Sequence, residues 1–317
     1  MFFRQNNSRF ISRTSIGWIF ISLLALGFPT VTSAKSPSKP PQYPTDVHVA
    51  VDVAYLPAPR SEKADLYSPL NKTPDNRVPA IVVIHGGGFN DGEKSRPREI
   101  NISTTLALNG YLAMSIDYRL RKSQGQVTWP QCLFDAKTAV RWLKKNAEQL
   151  GIDPERIGVI GCSAGGNLAA MLATTGPADG LEPTDCYPAF SASVRCAIDF
   201  YGAVDLINYH DMKMFAKTRE EAPDLYKKAS PITYVDAKDA PMLIVHGTSD
   251  QTVPLSQSET LAAAFKAASV EHELIVIPDA PHTFDLQPKQ RDLRPLVLDF
   301  FNKHLKEPRS NPTSKPQ

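Results

Sequence analysis

Net charge is nearly absent from this 317-residue sequence, in which 35 Lys and Arg face 33 Asp and Glu. That balance gives nucleic acid no electrostatic footing and points to a small molecule or a weakly charged polymer as the partner. Cysteine is scarce at four residues. Four thiols allow three pairings, and Cys186 with Cys196, flanking a loop that enters a strand, is the pairing expected. Cys162 is expected to be a buried free thiol, and Cys132 has no assigned role. No cluster of metal-ligand residue types stands out, and no cofactor motif. No internal repeat or composition break divides the chain. What remains is an ordinary globular composition, 42% hydrophobic and 21% charged, able to build a sizeable core.

Long apolar runs are also missing. Ile16 to Phe28 is too short to span a bilayer. Arg4, Arg9 and Arg13 precede it without an acid, and Thr32-Ser33-Ala34 follows with small residues. This is the pattern of a signal peptide over residues 1–34, which predicts export to a periplasmic or extracellular space with no stable membrane insertion after processing. A retained anchor is the alternative. With no cysteine at the cleavage point, lipid attachment is not expected. Loss of three arginines leaves 32 basic residues against 33 acidic, a net charge of −1. Residues 35–45 read as a Pro- and Lys-containing linker, 46–306 as one folded domain, and 307–317 as a disordered tail.

Within that domain, strand-like runs alternate with helix-like ones. Val47–Val53 alternates with period 2, as a strand with one buried face does. Ala80–Ile84 is continuously apolar, as a strand covered on both faces should be. Further strands are expected at Ala64–Tyr67, Tyr111–Ile116, Arg156–Ile160, Val194–Phe200, Met242–Val245 and Leu274–Ile277. Leu133, Ala136, Val140, Leu143, Ala147 and Leu150 mark one amphipathic helix. Its other face carries Lys137, Arg141, Lys144 and Glu148, and Gly151 stops it. Helices are also expected up to Asn109, over Asn167–Ala173, Leu261–Ala268 and Leu293–Leu305. The result is an α/β fold, a mostly parallel eight-stranded sheet with helices on both faces. Asp205 to Asp236 is irregular and aromatic-rich, suited to lining a pocket.

Gly161-Cys162-Ser163-Ala164-Gly165-Gly166 lies between a strand run and a helix run. A G-x-S-x-G in that setting is a nucleophile elbow: a strained turn that lifts the serine hydroxyl to a helix N-terminus. A serine needs a base, and the base needs a carboxylate to fix its tautomer. Asp250 follows one strand and His282 follows the next, giving the order Ser163, Asp250, His282. Asp279 is a rival acid. His246, before a strand-exit glycine, is expected to brace its loop, and Asp285 to brace the loop after His282. His48, His210, His272 and His304 carry no partner signal. His85-Gly86-Gly87-Gly88 follows the third strand and can present backbone N–H groups to an oxyanion, together with Ala164.

These motifs, with Ala139-Val140-Arg141-Trp142-Leu143, Tyr201-Gly202-Ala203-Val204-Asp205-Leu206, His246-Gly247-Thr248-Ser249-Asp250 and Val253-Pro254, make the chain from Val47 to Leu305 resemble the α/β-hydrolase carboxylesterases, in particular the BD-FAE-like and hormone-sensitive-lipase-like groups. The resemblance implies Ser163, Asp250 and His282 as catalytic triad and the amides of Gly87, Gly88 and Ala164 as oxyanion hole. It implies hydrolysis of short acyl esters, acetyl or feruloyl groups on polysaccharide among them, through an acyl-enzyme with no metal or cofactor. A short linker rather than a long helical cap before the first strand favours the BD-FAE-like branch and an open site. Charge further limits the pocket. Tyr209, Met212, Met214, Phe215 and Tyr226 are the candidate acyl wall, but Lys213, Lys217, Arg219, Glu220 and Glu221 interrupt them, which predicts acyl groups no longer than about six to eight carbons. A serine peptidase of the same fold and a non-catalytic binding protein on this scaffold are the competing readings. Oligomeric state has no signature in the sequence.

Overall fold

A computed structural model describes residues 41–70 and 77–306. The expected signal peptide, the linker before residue 41 and the C-terminal tail lie outside the described residues. Eight strands, β1 (His48–Val53), β2 (Ala64–Ser68), β3 (Val78–Ile84), β4 (Leu112–Ile116), β5 (Ile152–Cys162), β6 (Cys196–Phe200), β7 (Met242–Gly247) and β8 (His272–Ile277), form one sheet. Their spatial order is β1-β2-β4-β3-β5-β6-β7-β8. The β1/β2 and β2/β4 pairs are antiparallel, and the rest are parallel. All carboxyl ends from β3 through β8 therefore share one edge, where an open α/β sheet builds its sites.

Alternation along the strands sends side chains to two cores. Ala80, Val82 and Ile84 face a cluster with α2 (Gln131–Lys145), α4 (Ala164–Thr174) and α6 (Ser256–Ala267). Ile81 and Val83 face the other cluster, with α1 (Pro97–Leu108) and α7 (Arg294–Phe301). Two short helices complete the set, α3 (Ala147–Leu150) after α2 and α5 (Pro223–Lys228) between β6 and β7.

Four expectations need correction. The single helix over 133–150 is two, broken at Asn146, whose Nδ2 donates to Trp142 O and draws the chain out of helical geometry. Lys137 and Arg141, expected on a solvated face, are 1% and 6% exposed, because both reach the carboxylate of Glu182 on a loop that covers α2. β1 does not bury one face: Val51 is 48% exposed. An irregularity between Ala50 and Val53, with Asp52 at φ 56°, breaks the alternation on this edge strand. Cys186 and Cys196 are not paired, and all four cysteines are free thiols. Cys196 is buried in the α1/α7 cluster, whereas Cys186 lies beside Thr138 of α2, on the other side of the sheet.

Candidate active site

Ser163 sits between β5 and α4 at φ 56°, ψ −116°. A serine backbone rarely holds that conformation. It is fixed by the Ser163 N–H, which donates to Phe200 O at the end of β6 (2.8 Å), and by close approach of flanking backbone. A methyl at Gly161 would lie 1.9 Å from Gly165 O, and one at Gly165 would lie 2.1 Å from Ile84 O. Only glycine fits either position. Cys162 points into the core, where burial raises its thiol to about 11 and keeps it inert.

The structure brings the three expected polar groups together. The Ser163 hydroxyl donates to His282 Nε2 over 3.0 Å, and His282 Nδ1–H donates to Asp250 Oδ2 over 2.6 Å. Asp250 Oδ1 accepts the N–H groups of Thr252 and Val253, both at 2.8 Å. Those bonds hold the carboxylate in place, and its contact with Nδ1–H fixes the His282 tautomer with a free Nε2 lone pair. The Asp250 side chain is fully buried, and that of His282 is 12% exposed. Asp279, the rival acid, lies exposed at φ 57° on the surface.

His246 braces the acid loop, as expected. Its Nε2–H donates to Val253 O (2.8 Å) and lies 3.3 Å from Asp250 Oδ2, and its Nδ1 accepts from the Ser258 hydroxyl (2.7 Å). Burial lowers its pKa, so it stays neutral there. Asp285 accepts the Gln287 N–H and holds its loop.

The His85-Gly86-Gly87-Gly88 loop lies across from the serine. Buried His85 donates Nδ1–H to Gly86 O (2.7 Å) and stacks on Tyr118, whose hydroxyl donates to His85 O. Desolvation holds His85 near pKa 4, a neutral ring. Gly87 has φ 120°, and its carbonyl accepts from Asn90 and Asp91, making a tight turn. The N–H groups of Gly87 and Gly88 meet no protein acceptor among the described residues. Gly87, Gly88 and Ala164 all line the cleft that holds Ser163 and His282, a cavity of about 500 Å³.

Of the five expected wall residues, Tyr209 and Met212 line this cleft. Met214, Phe215 and Tyr226 are buried behind it. The Tyr226 hydroxyl accepts Met212 N–H and donates to Lys217 O, and its ring packs on Phe215 at 4.4 Å, so these residues shape the loop from beneath. Phe89, Ala203 and Val253 supply the remaining apolar surface. His210, which carried no partner signal, lines the cleft with its ring tilted against Tyr209, the centroids 3.9 Å apart.

Sequence reasoning named Tyr201 only within a family-like stretch and gave it no role at the site. Fully buried at φ 46°, it packs edge-on to the His282 ring at 4.8 Å, and its hydroxyl donates to Phe284 O (2.5 Å) two residues beyond that histidine. Its backbone N–H bonds Val245 O of β7 (2.9 Å). Tyr201 thus ties β6 to β7 and to the histidine loop. Its place directly after a strand was the available signal.

Along the chain the order is serine, aspartate, histidine, each just beyond the carboxyl end of a parallel strand. That order and setting define the α/β-hydrolase class. Within that class the chain belongs to the BD-FAE family, whose family model matches residues 64–265. It is 31% identical to the esterase LipQ of Mycobacterium tuberculosis over 79% of this chain and 61% of that protein. The chain thus spans about three fifths of that relative's length. Among solved structures, a truncated carbohydrate esterase from gut microbiota superposes with a TM-score of 0.74, at 26% identity, over 85% of this chain and all of that one. Esterase 2 of Thermogutta terrifontis with bound propionate superposes at 0.68, with 30% identity, over 83% of this chain and 94% of that one.

Proposed function

We propose that the protein is a serine carboxylic-ester hydrolase that acts through a covalent acyl-enzyme on short acyl esters of carbohydrate. The observation that carries the reading is the Ser163–His282–Asp250 chain of hydrogen bonds, opening into a cleft walled by the glycine loop. His282 Nε2 takes the Ser163 proton as Oγ attacks the acyl carbon. The carbonyl oxygen gains the displaced electron pair, and the N–H groups of Ala164, Gly88 and Gly87 hold it. Asp250 stabilises the imidazolium. The intermediate collapses, and His282 gives its proton to the departing alcohol. Water then attacks the acyl-enzyme by the same route and releases the acid.

The short-acyl preference follows from the walls. Beyond Tyr209 and Met212 the cleft meets Lys213 and Asp211, and each methylene of a long chain laid there forgoes roughly 0.8 kcal/mol of burial. The propionate held by the Thermogutta terrifontis neighbour agrees with that size. The carbohydrate alcohol is supported by the gut-microbiota neighbour. An exported enzyme meets such polymers, and the basic start, apolar run and small residues of 1–34 support export.

Nitrophenyl esters of rising acyl length, acetylated xylan and a peptide amide test this reading together. Specificity constants should peak between acetyl and butyryl and fall beyond about six to eight carbons, with no amide cleavage. Ser163→Ala should lose fluorophosphonate labelling and several orders of magnitude in turnover. Asp250→Asn should cost far more than Asp279→Asn. Labelling of Ser163→Ala at the wild-type rate, or preference for C12 esters, contradicts the proposal.

A further inference from the structure

The cleft does not end at its apolar walls. Lys213 lines it and also lines a second cavity of about 580 Å³, formed with Arg121, Lys122, Ser123, Gln124 and the turn at Gly125. Two sets of bonds join the second cavity to the catalytic framework. Arg121 N–H donates to Phe89 O (2.9 Å), and its Nε donates to Asn90 Oδ1 (2.6 Å), both in the glycine-loop segment. Thr128 N–H donates to Met214 O (3.1 Å), which ties the far end of this loop to the segment bearing Lys213.

Charge separates the two cavities. In the catalytic cleft, Arg96 pairs with Asp91, Arg98 with Glu99, and Asp211 with Arg219. In the second cavity Arg121, Lys122 and Lys213 have no carboxylate within ion-pair distance among the described residues, and no Asp or Glu lines it. Arg121 Nη2 donates to no protein group there. In a chain with almost as many acids as bases, three gathered cations without a counter-charge make a local positive field. The flanking hydroxyl and amide of Ser123 and Gln124 suit sugar hydroxyls.

We propose that this second cavity is a subsite for a carboxylate carried by the substrate polymer, so that the preferred substrate is an acyl ester on a uronate-bearing polysaccharide. The inference rests on the esterase reading for the ester and on the cation cluster for the acid. Arg121 offers its unpaired Nη2 to a carboxylate, and Lys122 and Lys213 add point charges to the lining of the same cavity.

Binding to the Ser163→Ala protein tests the subsite without turnover. Oligogalacturonate should bind on the order of tenfold more tightly than a neutral xylo-oligosaccharide of equal length, and the difference should shrink as salt shortens the screening length. Exposed ion pairs are individually weak, so Lys122→Gln and Lys213→Gln should each weaken oligogalacturonate binding by roughly 1.5- to fivefold, while Lys122→Arg restores binding. Xylo-oligosaccharide affinity should not follow the Lys122 changes. Equal affinity for the two oligomers, or an affinity for oligogalacturonate unmoved by salt and by both substitutions, overturns the subsite. Wild-type turnover of nitrophenyl acetate separates this outcome from failure of the esterase reading, which would abolish that turnover.

Discussion

Asp199 is a fully buried carboxyl on β6, one residue before the carbonyl that accepts the Ser163 N–H. Its Oδ1 accepts Gly202 N–H (2.8 Å), and its Oδ2 has no partner among the described residues. Desolvation raises its pKa to about 7, opposed in part by the Gly202 bond. The folded protein therefore binds this proton more tightly than the unfolded chain does. Its contribution to stability is full below the unfolded value, near 3.8, and is lost as pH rises through about 7. Within that window stability should fall by up to about 1.4 kcal/mol per pH unit. Asp199→Asn keeps the acceptor for Gly202 and removes the titration, so urea midpoints measured from pH 4 to 8 should flatten in that variant. An unchanged slope would place the titrating group elsewhere. Nothing in the sequence marked this residue. Its proton affinity comes from the strands and glycines packed around it. Ser163, Asp250 and His282 were legible because strand, turn and residue type coincide at each of them.

Between elements, α2 is the least legible part of the fold. Its apolar stripe was correctly read: Leu133, Ala136, Val140 and Leu143 are fully buried. Its opposite face was not, because Glu182 arrives from a loop some forty residues on. Lys137 and Arg141 share that one carboxylate, and Arg141 Nη1 also donates to Pro183 O and Cys186 O. Burial lowers the Lys137 pKa, and Glu182 counters it. Removing the shared anion leaves two buried cations, a change that costs roughly 3–5 kcal/mol where a buried pair is broken. Glu182→Gln should therefore lower the urea midpoint more than Lys137→Met does, with the denaturant slope unchanged. The reverse ranking would show that the loop is held by packing rather than by charge. The same loop carries Cys186 away from Cys196, and this is why short sequence spacing gave a wrong pairing.

For the molecule as a whole, the expectation is that the folded domain of residues 46–306 unfolds as one cooperative unit. The sheet, both cores and the site are described within residues 41–70 and 77–306. A protein beginning at Pro41 should unfold in one transition and keep the activity of the full chain. A second transition, or loss of activity, would show that the first forty residues take part in folding. Composition and local pattern alone determined the class of fold, the elbow, the order of the three polar groups and the glycine loop, because each depends on residues close together in the chain or on the period of one element. Tertiary structure decided what depends on distant segments meeting. It set Asp250 rather than Asp279 against His282 through the aim of two strand-end loops, and it packed Tyr201 on the His282 ring. It sent Met214, Phe215 and Tyr226 behind the pocket wall rather than into it. It also gathered Arg121, Lys122 and Lys213 around one cavity. A balanced count of charges cannot reveal that cluster, since net charge is a sum over the chain and a field depends on where the charges lie.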